Sequence, residues 1–141
     1  MAYATHLNSL LSIRENQRCF DCGIDKVKHG VLTFGIFVCH HCSMRHQRYV
    51  SDNRLIKDLF APNDWNLKEI QALEFGGNHP FGSFMSRYQI SPKHDFLLKY
   101  RSRAALYYSK RLEYMIDVGK SVLHVSDYAS NNPPPENISR G

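Results

Sequence analysis

The feature that most constrains this chain is a pair of Cys-x-x-Cys motifs, Cys19-Phe20-Asp21-Cys22 and Cys39-His40-His41-Cys42, separated by sixteen residues. Together they hold every cysteine of the 141-residue sequence. Each motif suits a tight turn that aims two thiolates at one point, and the residues between let the chain leave and return as a small hairpin. Four soft ligands at this spacing match one tetrahedral zinc site. Cys19, Cys22, Cys39 and Cys42 are therefore the expected ligands of a single structural Zn2+. The alternatives are two disulfides or four unrelated thiols. The residues ahead of Cys19 carry no secretory-signal pattern, so a reducing compartment is expected, and it favours metal over disulfide.

The composition, 43% hydrophobic and 12% aromatic, is that of a globular chain, and no run approaches the roughly 18–20 apolar residues of a membrane span. A soluble, cytoplasmic monomer is expected. The formal charge of +5 favours anionic partners: nucleic acid, an anionic membrane surface or an acidic protein face. Charge alone does not choose among them. One domain is expected over residues 1–125, with a disordered Pro/Asn-rich tail over 126–141, where Asn131-Asn132-Pro133-Pro134-Pro135-Glu136-Asn137 is the biased stretch.

Leu7, Leu10 and Leu11 fall at helical spacing and predict an amphipathic helix that ends before Cys19. Val31 to Val38 is β-branched and aromatic, which predicts two short strands bent at Gly35. A helix is expected from Ser43, with Ser43 as N-cap. Arg54 to Phe60 reads as a strand closed by the turn at Pro62. Trp65, the single tryptophan, is expected in the core. Leu67 to Phe75 is expected helical and stopped by Gly76-Gly77; Pro80 to Tyr88 is expected helical with Phe81, Phe84, Met85 and Tyr88 on one face. From about Asp95 to Lys120 one long amphipathic helix, straight or kinked, is predicted. Leu98, Ala105, Tyr108, Leu112, Met115 and Ile116 would face inward, and Lys99, Arg101, Arg103, Lys110 and Arg111 would lie on a solvated basic face. The class is α/β (α+β), a zinc module with a short central sheet between helices.

The eight histidines offer little catalysis. His40, His41 and His46 lie near the metal, but four cysteines complete the tetrahedron. His29, His79 and His94 fall in expected loops without the Ser, Cys or carboxylate partners of a triad. No Gly-x-x-x-x-Gly-Lys loop is present, so the chain itself is not expected to bind GTP. A nucleic-acid-binding zinc finger is disfavoured, because the basic residues are scattered and Met44, Tyr49 and Val50 spend the post-zinc helix on apolar contacts.

Beyond this, the chain resembles the Arf GAP domain, the zinc-finger GTPase-activating domain for ADP-ribosylation factor GTPases. The matching residues are Cys19-Phe20-Asp21-Cys22-Gly23; Gly35-Ile36-Phe37-Val38-Cys39 with Cys42-Ser43 and His46; Trp65 ahead of Gly76-Gly77-Asn78; and Lys99-Tyr100 with Ser102-Arg103-Ala104-Ala105. The resemblance runs from about Leu7 to Lys120 and is most similar to the Golgi-associated branch. It implies a structural zinc, an ADP-ribosylation-factor-type partner and a role in vesicle traffic, cytoplasmic or peripheral at Golgi or other endomembranes. An anionic membrane or coat protein is a further possible contact. The family's arginine after the histidine, which enters the GTPase site and is worth on the order of 10³–10⁵ in rate, is Gln47 here. The family's proline and tryptophan between the cysteine pairs are Val27 and His29, its Gly-Val-His segment is Val50-Ser51-Asp52, and one residue is inserted before Trp65. Arg48 is the candidate substitute finger, and Arg45 a weaker one. A catalytically silent adaptor on the same fold is the alternative.

Overall fold

The computed structural model describes residues 3–119 and 125–136, without the side chains of residues 125–127. At its centre are three short antiparallel strands in the order β2-β1-β3: β1 His29–Val31, β2 Ile36–Val38 and β3 Ile56–Asp58. Gly30 faces Phe37 on one side and Lys57 on the other. Side chains alternate across the sheet. Val31, Ile36 and Val38 enter a core layer with Phe81, Met85, Tyr100 and Tyr108. Phe37 points the other way, into a layer with Leu7, Leu10, Trp65, Ile70 and Leu73.

The β1–β2 turn explains two glycines at once. Gly35 has φ +64, and a Cβ there would lie 2.4 Å from the Ala72 carbonyl and 3.0 Å from the Gly76 Cα. The turn thus rests directly on the end of a helix, and the Gly77 N–H donates to the Gly35 carbonyl at 2.7 Å. That helix, α3 (Leu67–Phe75), has the expected limits. It starts at a capping box in which Asn66 and Glu69 bond each other's backbone N–H, both at 2.9 Å.

The N-terminal helix, α1 (Ala4–Leu11), buries Leu7 and Leu10 against α3. The helix α4 spans Asn78–Ser86 and buries Phe81, Phe84 and Met85. Its first residue ties distant segments together. Asn78 Oδ1 accepts from the Phe37 N–H at 2.7 Å, and Nδ2 donates to the carbonyls of Glu15 and Arg18 at 3.0 and 2.8 Å.

Several expectations need correction. The post-zinc helix, α2, spans His40–Tyr49 rather than starting at Ser43; its N-cap is Cys39, whose sulfur accepts from the Cys42 N–H. Ser43 lies inside the first turn and donates to the His40 carbonyl. The expected strand Arg54–Phe60 is reduced to β3 by a 3-10 turn at Asn53–Leu55. The long helix is two, α5 (Phe96–Arg101) and α6 (Arg103–Val118). Ser102 separates them in extended conformation: its hydroxyl donates to the Lys99 carbonyl at 2.7 Å and accepts from the Ala105 N–H at 3.1 Å. One serine thereby ends one helix and caps the next. The break rotates α5, so that Lys99 is buried and Leu98 is exposed, the reverse of the expectation. Residues 125–131 form a further helix, α7, where a tail was expected; residues 133–136 have no regular structure. Lys120 and residues 137–141 lie outside the described residues. No helix among the described residues is long and apolar enough to cross a membrane.

Candidate metal centre

Two local structures bring the cysteines together. In the first, the Gly23 N–H donates to the Cys19 carbonyl at 2.9 Å, and Gly23 takes φ +78 to turn the chain back. In the second, Cys39 leaves β2 in extended conformation and caps α2, which sets Cys42 beside it on the first turn. The four Sγ atoms all lie within 4.8 Å of one another, and Cys22 and Cys39 approach to 3.8 Å. All four are free thiols. These separations far exceed the about 2.05 Å of a disulfide and suit thiolates around a common ion.

The charge distribution has the same meaning. A hydrogen bond from Cys42 lowers the Cys19 thiol to about 5. The same bond, with burial, pushes Cys42 well up, and burial raises Cys39. Thiols packed this closely shift one another's ionisation. A dication at the centre would let all four ionise, which is what a metal-binding tetrathiolate requires.

Behind the thiols lies a polar cluster that sequence reasoning missed. The side chain of Asp21, inside the first motif, is 1% exposed. It accepts from His46 Nε2 at 2.7 Å, from Lys99 Nζ at 2.6 Å, and from the Tyr100 hydroxyl. Burial alone would raise its carboxyl, but the bonds and charges of His46 and Lys99 hold it below the ordinary value. Burial beside Asp21 moves Tyr100 the opposite way, well above its ordinary value. Lys99 also donates to the Pro92 carbonyl at 2.6 Å. The His46 ring is wedged edge-on between Phe96 and Tyr100, with centroids at 4.8 and 4.5 Å. One carboxylate therefore joins the first cysteine motif to α2 and to α5. The sequence signal was present in Asp21, His46 and Lys99-Tyr100, but the assumed continuous helix placed Lys99 in solvent.

Beyond this anchor the outer face of α2 is open. Met44, Gln47, Arg48 and Tyr49 are exposed. Arg48 lies with its guanidinium 5.5 Å from the Tyr49 ring centroid, and Arg45 packs 4.2 Å over Phe96. His40 and His41 are exposed, and His40 lies 5.6 Å from the His29 ring. His79 sits on α4 rather than in a loop, 3.5 Å from the Ser83 hydroxyl. Among the described residues no carboxylate bonds that ring, so the pair forms no triad.

Comparison with known proteins fits this geometry. Residues 4–115 match the family model ArfGap, described as "Putative GTPase activating protein for Arf". The chain is 29% identical over 109 residues to ADP-ribosylation factor GTPase-activating protein 3 of Macaca fascicularis, covering 77% of this chain and 21% of that protein. It is 26% identical over 108 residues to an uncharacterized Caenorhabditis elegans protein, covering 77% of this chain and 20% of that one. The chain thus spans about a fifth of the length of these relatives. Two solved structures share the fold: a Cryptosporidium parvum protein titled "putative GTPase activating protein for ADP ribosylation factor" (TM-score 0.54, 20% identity, 82% of this chain and 92% of that one) and the ArfGap domain of human RIP (TM-score 0.51, 19% identity, 86% and 88%). The cysteine cluster, the helix it caps and the paired helices α5 and α6 up to Met115 all fall within the matched span, and the chain belongs to the ArfGap family.

Proposed function

We propose that this chain is a GTPase-activating domain for a small GTPase of the ADP-ribosylation factor type. The observation that carries this is the family match over residues 4–115, which includes both cysteine motifs and the whole exposed face of α2. In this reading Cys19, Cys22, Cys39 and Cys42 hold one Zn2+. The ion supplies no chemistry to GTP; it neutralises the thiolates and cross-links the two motifs, so that folding and metal binding are one event. The segment 43–58 then faces the GTPase.

The position from which the family inserts an arginine is Gln47, an uncharged side chain that cannot neutralise the transferring phosphoryl group. Arg48 is the substitute proposed here, because it is exposed and, among the described residues, its head lies against the neighbouring Tyr49, whereas Arg45 is committed to Phe96. Single-turnover GTP hydrolysis by a GTP-loaded ADP-ribosylation factor tests the proposal. Added wild-type domain should raise the rate, Arg48→Ala should remove most of the increase, and Gln47→Arg should raise it further, on the order of 10³-fold or more if a full finger is restored. No increase at high domain concentration would end the proposal.

Gln47 also favours a second reading, a silent adaptor that binds the GTPase, a coat protein or an anionic membrane surface without accelerating hydrolysis. Wild type would then be inactive and Gln47→Arg active. Under either reading a cytoplasmic place in vesicle traffic, peripheral to Golgi or other endomembranes, is proposed from the family.

A further inference from the structure

The break between α5 and α6 leaves a stretch of surface that is basic and apolar at once. From Phe96 to Leu112 the chain carries five cations, Lys99, Arg101, Arg103, Lys110 and Arg111, and no carboxylate. Lys99 is buried on Asp21, and Arg111 packs 4.9 Å over Phe84. The other three cations are exposed. With Lys99 turned inward, Leu98 and Arg101, one turn apart on α5, lie on its outer face, where both are exposed. On α6, Arg103, Leu106 and Lys110 follow at steps of three and four, within about 60° of one another around the helix. Arg101 and Arg103 flank the single extended residue Ser102, so the two faces adjoin. The leucines are 53% and 54% exposed. Glu113 and Asp117, further along the same side of α6, end the basic stretch.

Pairing within the chain does not account for these cations. Among the described residues no carboxylate lies within ion-pair distance of Arg101, Arg103 or Lys110. Arg103 is the first residue of α6, where the positive end of the helix dipole opposes it and no acidic residue follows in the first turn. Unpaired cations attract anions of any kind, but the leucines narrow the choice. They gain nothing from phosphates or base edges, whereas at a bilayer surface the cations meet anionic headgroups and the leucines enter the headgroup–acyl boundary. Each cation near an anionic leaflet strengthens association about five-fold, and three together about 100-fold. Each half-covered leucine adds about three- to ten-fold. The resulting association constant, on the order of 10³–10⁴ M⁻¹, does not exceed that of one myristoyl chain, about 10⁴ M⁻¹. Such a face orients a domain at a membrane and does not anchor it alone.

We propose that the exposed face of Leu98, Arg101, Arg103, Leu106 and Lys110 is a docking surface for an anionic lipid bilayer. The proposal rests on charge and exposure and is independent of GTPase activation.

The test sediments the full, metal-saturated chain with sucrose-loaded vesicles of phosphatidylcholine containing about a third phosphatidylserine, at low salt and millimolar lipid. About half or more of the wild type should pellet, and binding to pure phosphatidylcholine should be about ten-fold weaker or less. Arg101→Gln/Arg103→Gln/Lys110→Gln should bind the anionic vesicles about 100-fold more weakly. Leu98→Ser/Leu106→Ser should lose about ten-fold or more with every charge kept. Arg14→Gln/Lys26→Gln/Lys68→Gln removes the same charge from exposed positions outside α5 and α6 and should lose less than about three-fold. All the replaced side chains are exposed, and a thermal melt shows each variant to be folded. Wild type left in the supernatant with anionic vesicles would overturn the proposal, as would equal losses from the two charge triples. A leucine variant that keeps wild-type binding would overturn it too, and tight binding of duplex DNA by that variant would assign the face to nucleic acid.

Discussion

Asp21→Asn isolates a single quantity, the buried negative charge that joins the cysteine motif to α2 and α5. The substitution keeps size and shape. It strips the Lys99 ammonium, 3% exposed, of its counter-charge and leaves it only neutral acceptors, the Pro92 carbonyl and the new amide oxygen, among the rings of Tyr100, Phe20 and Phe96 at 5.1, 5.8 and 5.8 Å. Removing one partner of a buried ion pair costs about 3–5 kcal/mol, because the other charge stays desolvated and uncompensated. The aromatic faces offset part of this, by about 0.5–2 kcal/mol. A net loss of about 3 kcal/mol follows, a large share of the roughly 5–15 kcal/mol that holds a domain folded. Lys99→Met in the same chain removes the stranded charge, so the double variant should be more stable than Asp21→Asn alone. The assay is urea unfolding of the metal-saturated protein, with metal content measured on the same samples to hold occupancy constant. A loss below about 1 kcal/mol would refute the argument, and so would a double variant whose loss is the sum of the two single losses, since residues sharing one network are expected to couple.

Two glycines with similar backbone conformation should behave differently. Gly35→Ala brings a Cβ to 2.4 Å from the Ala72 carbonyl and should prevent accumulation of folded protein or cost more than about 3 kcal/mol, whereas Gly23→Ala has open space and should cost only the about 1–2 kcal/mol of a left-handed residue; thermal melts separate them. Asn78→Ala leaves the Phe37 N–H and the Glu15 and Arg18 carbonyls without their partner and should cost about 2–4 kcal/mol by the same unfolding assay. Chelation of the metal should remove hydrogen-exchange protection from residues 40–50; full protection of α2 after metal removal would contradict the proposed metal-coupled folding.

What was legible in the sequence was whatever short-range chemistry determines. The two cysteine motifs announce their geometry by spacing alone. Helix α3 could be bounded because Leu67, Ile70 and Leu73 fall at helical spacing and a glycine pair stops it; the structure adds the reason for its start, a capping box of Asn66 and Glu69. The core role of Trp65 also holds: its indole N–H donates to the Asp58 carbonyl at 2.8 Å. Where tertiary partners decide, periodicity failed. The start of α2 was displaced because the cap is the sulfur of Cys39, not the serine hydroxyl that ordinary capping preferences favour. The division of α5 from α6 depends on which carbonyl and which amide the Ser102 hydroxyl finds. Lys99 looks like any surface lysine until Asp21, seventy-eight residues away, turns up beside it.

These corrections bear on the one position where the family's chemistry is in question. Because α2 starts at Cys39, a cysteine of the cluster is also the cap of the helix. Two turns later His46 bonds Asp21, which lies between Cys19 and Cys22. Both ends of α2 are therefore fastened to the same pair of cysteine motifs, one through sulfur and one through a carboxylate. Gln47 follows His46 at about 100° around the helix and points away from that anchor, exposed. A change there alters the group presented without altering how the helix is held. Gln47→Arg should accordingly change unfolding free energy by no more than about 0.5 kcal/mol, the range of ordinary surface substitutions. If it shifted stability by several times that amount, Gln47 would belong to the anchor rather than to the presented face, and any gain in GTP hydrolysis could no longer be credited to the guanidinium alone.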